Sequence, residues 1–254
     1  VLAALVLIGG ATVLAIVSSG PDIEAASWLV VDLRDGLMEY DPPADLMSQV
    51  AGGSPTTLQG VLDGMTKAAA DDRIAGVILK IGQGTALGGA TVQELRWGID
   101  KFQAADKRVV AWAESLSATG VHLTGACDVA AMPPTGSVIF TGSTVSSMHV
   151  KSMLEKLGVR PNVHKIKDYK SAAEMVTRTD MSEPAEENRR WLLEESWEMR
   201  GEAFEEDLGL GPDRIEELMR HALFTGEEAL EAGLVDELWY WDELEEELRG
   251  EEAE

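Results

Sequence analysis

The stretch best placed for chemistry is Asp168-Tyr169-Lys170-Ser171-Ala172-Ala173-Glu174, continued by Arg178-Thr179-Asp180-Met181-Ser182. It follows a short strand-like run at 162–166 and precedes a long helix expected to open near Ser182, with Pro184 at its start. Lys170 therefore falls at a junction between elements, where side chains can point into a cleft. The chemistry open to an amine there is proton transfer, provided burial keeps it neutral. Without burial it is a surface charge, as most loop lysines are, and these residues alone leave both readings open.

A second candidate is Gly82-Gln83-Gly84-Thr85-Ala86-Leu87-Gly88-Gly89, which follows an apolar strand at 74–81 and leads into a helix over about 91–105. Strand, glycine loop and helix suggest a dinucleotide site. The spacing G-x-G-x-x-x-G misses that fingerprint, and Asp100 falls inside the helix rather than at the end of a second strand. The same physics serves another end, because glycines let backbone approach a substrate and their N–H groups can hold an oxyanion. The third candidate is the turn Ser115-Leu116-Ser117-Ala118-Thr119-Gly120, where Ser117 reads as a helix-cap hydroxyl. The four histidines, His122, His149, His164 and His221, are scattered, and no HExxH or paired Cys/His spacing occurs, so neither a metal nor a cofactor is expected. Cys127, the single cysteine, cannot form an intrachain disulfide and reads as a small core residue.

The elements that must position these residues follow a βαβ rhythm over a chain of 254 residues. Strands are expected at 26–33, 74–81 and 108–114, with helices over about 57–70 and 91–105 between them. Such spacing implies a parallel sheet with right-handed crossovers. Beyond it come a short strand, a turn and another strand over 129–142, a short helix at 150–157 stopped by Gly158, and a charged helix over about 182–208. Trp191 and Trp197 are expected on the packed side of that helix. Thr225 to Asp236 reads as a short helix, a glycine stop and a strand, and a glutamate-rich helical tail or linker begins at about 241. Residues 1–17 form an uncharged apolar run, as a helix roughly 25 Å long against the roughly 30 Å of a bilayer core. A membrane anchor or signal segment over 1–20 is expected. The net charge of −24 argues against a nucleic-acid partner, because phosphates would be repelled.

The strings Tyr169-Lys170-Ser171-Ala172 and Arg178-Thr179-Asp180-Met181-Ser182, with Thr225 to Asp236, resemble the lysine-bearing half of the signal peptide peptidase A family. These are membrane-anchored serine–lysine proteases of the ClpP/crotonase-like fold. The resemblance implies repeated β-β-α units around a parallel sheet at 26–240, preceded by a transmembrane helix. It implies Lys170 as general base, Gly88-Gly89 as an oxyanion or substrate-binding loop, and a homo-oligomer or second homologous domain as partner at the bacterial inner membrane, with the peptidase domain extracytoplasmic and signal peptides as substrates. At the family's nucleophile position this chain has Ala118. Ser117 is one residue early, and one position on a helix turns a side chain by about 100°.

The chemistry so implied is demanding. A serine hydroxyl needs a base, and a lysine amine serves only when its ordinary pKa of about 10.4 is lowered by roughly 2–3 units, equivalent to about 3–4 kcal/mol. Tyr169 and Ala172-Ala173 are expected to supply apolar surround, Ser171 to hold the amine, and Glu174 to face away. The serine would come from a second homologous domain or a partner chain. Two other readings stand beside this one: a catalytically inactive membrane-anchored scaffold, favoured by Ala118, and a crotonase-type acyl-CoA enzyme, which has no need of an apolar anchor.

Overall fold

The computed structural model describes residues 23–39, 56–82 and 87–251. The expected anchor at 1–20 and the loop residues 83–86 lie outside them. Among the described residues no helix is long and apolar enough to cross a membrane.

The chain opens with β1 (Ser27–Asp32), α1 (Leu58–Ala69), β2 (Ile74–Ile81), α2 (Gly89–Gln103) and β3 (Arg108–Ala113). β4 (Ser115–Ser117), α3 (Ala118–Thr124), β5 (Val129–Met132) and β6 (Ser137–Ile139) follow. Then come α4 (Lys151–Lys156), α5 (Glu174–Thr177), α6 (Glu183–Leu208), α7 (Pro212–His221), β7 (Leu223–Thr225), α8 (Gly226–Glu231), β8 (Glu237–Leu238) and α9 (Trp241–Glu251). The principal sheet has the order β1-β2-β3-β5-β8, every pair parallel. This is the α/β arrangement the βαβ rhythm predicts. In a second sheet, β4-β6-β7, β6 is the strand expected after the turn within 129–142, whereas β4 and β7, three residues each, are too short to carry a readable pattern.

β2 is apolar almost throughout because both faces of the sheet are covered. On one face Val77, Leu79, Ile81, Val109 and Ala111 join the main core with Val61 and Met65 of α1 and Val92, Leu95, Ile99 and Phe102 of α2. On the other, Ile78, Val110, Trp112 and Ala131 pack under Leu244 and Leu248 of α9. The glutamate-rich C-terminal helix is thus docked on the sheet. Gly76 lacks a side chain where the Trp28 ring lies, so the indole can rest on β2.

The expected strand at 162–166 does not form. Residues 159–170 are exposed and without regular structure, and among the described residues no strand pairs with them. α6 starts and ends as expected, but of the two tryptophans only Trp197 packs on the core. Trp191 is exposed, its Nε1 donating to Glu195 at 3.1 Å, because a 26-residue helix burying only Ala185 and Phe204 is mostly solvated.

Candidate active site

The parallel register places Ile81 beside Ala113, so β2 and β3 end at the same edge of the sheet. From that edge leave the chain that enters α2 at Gly88 and the chain that enters α3 at Ala118. Gly88 is the N-cap of α2, and Gly88 and Gly89 are both exposed. A substitution at Gly89 would meet nothing within 4 Å, so it lines open space. At α3, Ser117 caps the helix, its Oγ accepting the Gly120 N–H at 3.2 Å, as its position predicts. Ala118, the next residue, is buried and carries no nucleophile.

What holds the two turns together escaped the sequence. Arg96 of α2 donates through Nη1 to the His122 carbonyl of α3 and to Asp207 Oδ2 of α6, both at 2.7 Å. The Arg96 and Asp207 side chains are only 12% and 14% exposed, so three helices are tied in a partly dry interior. His122 itself is buried and edge-on to Phe204. Burial, followed by the nearby Arg96 and Arg200 charges, lowers its pKa to about 4 against a weaker opposing effect of Asp207.

The lysine segment departs from expectation. Lys170 is exposed, and among the described residues its side chain makes no hydrogen bond or ion pair. Tyr169 is 60% exposed and turned to α6, where its hydroxyl donates to Glu187 Oε2 at 2.7 Å. Ser171 is half-buried and its carbonyl accepts the Glu174 N–H. Tyr169 and Ala172 are themselves exposed and Ala173 is half-buried, so among the described residues they do not supply the apolar surround expected of them.

Glu174 is the buried group of this region and is engaged away from Lys170. Its carboxylate accepts Ser182 Oγ at 2.7 Å and Ser182 N–H at 3.0 Å, and pairs with Lys165 Nζ at 3.2 Å. These bonds, the Ser182 hydroxyl foremost, lower its pKa to about 2. A further pair was missed: Ser147 Oγ lies 2.8 Å from His149 Nε2, and its only sequence signal is serine and histidine two positions apart. Toward the C-terminus the expected structural motif is present. Thr225 and Glu228 form a capping box, Gly233 takes a left-handed φ of 73°, and Asp236 Oδ2 accepts the Ala130 N–H at 2.7 Å, clipping the chain to β5. Among the described residues no cluster of metal-ligating side chains occurs.

Comparison with known proteins gives the family. The model of peptidase family S49 matches residues 101–253. The chain belongs to this family. It is 29% identical over 191 residues to the chloroplastic serine protease SPPA of Arabidopsis thaliana, covering 75% of this chain and 28% of that protein. It is 27% identical over 210 residues to Protease 4 of Haemophilus influenzae, covering 82% of this chain and 34% of that protein. The chain thus spans about a third or less of the length of these relatives. A solved 1510-N membrane-bound stomatin-specific protease, as a serine-to-alanine mutant, superposes with a TM-score of 0.45 at 12% identity, covering 88% of this chain and 84% of that one. A monofunctional enoyl-CoA isomerase from M. smegmatis gives 0.42 at 17% identity, covering 76% and 72%.

Proposed function

We propose that this chain is the lysine-bearing part of a membrane-anchored serine endopeptidase that degrades signal peptides. Lys170 is its general base, Gly88-Gly89 its substrate or oxyanion loop, and the nucleophilic serine comes from a second homologous domain or a partner subunit. The observation that carries this reading is the incompleteness of the site within one chain. Ala118 stands where the family's serine would be, and Lys170 lies on an exposed segment flanked by exposed Val163, Ile166 and Tyr169. A module closing over those side chains would strip water from the amine, which is the condition a lysine base requires. The substrate is peptide, not nucleic acid, in keeping with the acidic charge. The expected setting is the bacterial inner membrane with the peptidase domain outside the cytoplasm.

The test is peptide hydrolysis by the full-length protein with its serine-bearing part present. Lys170→Ala should lower turnover by roughly 10²–10⁴-fold, the usual contribution of a general base. Wild-type turnover in that variant would exclude the reading. An inactive scaffold of the same family is favoured by one observation, the buried alanine at 118. It predicts no hydrolysis by the wild-type assembly.

A further inference from the structure

We infer that Ser147 is an activated nucleophile, with His149 as its base, in a small esterase-like site that adjoins the Lys170 segment but does not use the Lys170 amine. Ser147 and His149, two residues apart, turn toward one another, while Met148 between them is 72% exposed. His149 Nδ1 lies 3.2 Å from the Glu174 carbonyl oxygen and Nε2 lies 2.8 Å from Ser147 Oγ.

A carbonyl can only accept, so Nδ1 must carry the proton. In the neutral ring Nε2 then holds a lone pair, and the Ser147 hydroxyl must donate to it. This is the arrangement of nucleophile, base and orienting group that activates serine, with a backbone carbonyl as the third member. The orienting group is rigidly held. Val150 N–H donates to the Met175 carbonyl at 2.7 Å, fastening the segment to α5. Glu174, whose carbonyl orients the ring, is anchored through its own buried carboxylate by Ser182 and Lys165.

The pair opens on a pocket of about 300 Å³, with Ala172, Met175, Met181 and Ala185 as its apolar wall and Ser146, Ser171, Glu174 and Arg189 as its polar one. The apolar wall suits a short acyl chain. Arg189 makes one contact of note, Nη1 to the weakly accepting Met181 Sδ at 3.3 Å. Of its five N–H groups, others remain for the negative oxygen of a tetrahedral intermediate. The substrate class is therefore a carboxylic ester with a short apolar acyl group. Ser147 Oγ bonds to the carbonyl carbon as its proton passes to His149 Nε2. The ester C–O bond breaks and the departing alkoxide takes that proton. Water, deprotonated by His149, then attacks the acyl-serine, releasing the acid and restoring the hydroxyl.

The experiment uses the whole chain, a fluorophosphonate probe and p-nitrophenyl butyrate. In wild type, mass spectrometry should place the phosphonyl adduct on Ser147. Ser147→Ala should abolish the adduct, and His149→Gln should slow both labelling and ester hydrolysis at least 100-fold with an unchanged circular dichroism spectrum. Absence of an adduct in wild type, or an adduct at another residue, would overturn the proposal, and both are decided without any variant.

Discussion

His122 and Glu174 show how individual buried groups set the response to acid. His122 titrates at about 4 in the fold and near 6.5 unfolded, so the unfolded chain binds the extra proton. Its contribution to stability is complete above pH 6.5 and is lost as pH falls toward 4. Glu174, at about 2 in the fold and 4.5 unfolded, loses its contribution in the next window down, from 4.5 toward 2. Stability should therefore decline in two stages on acidification. In His122→Phe, urea midpoints measured between pH 6.5 and 4 should flatten, while the steeper loss below 4.5 should persist. A His122→Phe profile parallel to wild type over the upper window would remove His122 as its cause.

At the scale of elements, the Arg96–Asp207 pair determines whether the Gly88 and Ala118 turns keep their relation. Removing one partner leaves a partly buried charge unpaired, so Arg96→Ala should cost about 3 kcal/mol. Denaturant unfolding checks this, and a loss under about 1 kcal/mol would mean that the pair behaves like a surface bridge. The contrast with the sequence is instructive here. The helices and parallel strands were legible because apolar period and punctuation are local: Thr57 caps α1, Ser117 caps α3, and the run at 74–81 can only be a strand covered on both sides. Arg96–Asp207 was not, since 111 positions separate the partners. The run at 162–166 has a strand's residue pattern but pairs with no strand among the described residues, so the pattern alone does not make a strand. Of the site, Ser117 caps its helix as its local chemistry predicts, the helix expected from about 91 begins at Gly89, and burial of Lys170 depends on what covers it, which no local pattern records.

For the whole molecule, the acidic charge and the exposed apolar segment pull in opposite directions. A net charge of −24 repels copies of the chain. Yet Met148, Met153, Leu157, Val163, Ile166, Tyr169 and Met175 present exposed apolar surface within a single stretch. Sedimentation should show association that strengthens from 50 mM to 500 mM salt, as screening shortens the range of repulsion. Ile166→Asp, altering a side chain that is 78% exposed, should weaken it at least tenfold without lowering the melting temperature. Association indifferent to that change would assign contact to another face.

α9 lies on the sheet so that the Lys80 ammonium sits 3.7 Å from the Trp241 ring centre and 5.3 Å from that of Trp112, while the two indoles meet edge to face at 5.4 Å. Indole emission responds to an adjacent positive charge and to water. The back of the molecule accordingly carries its own optical gauge: a shift in fluorescence would report this helix parting from the sheet.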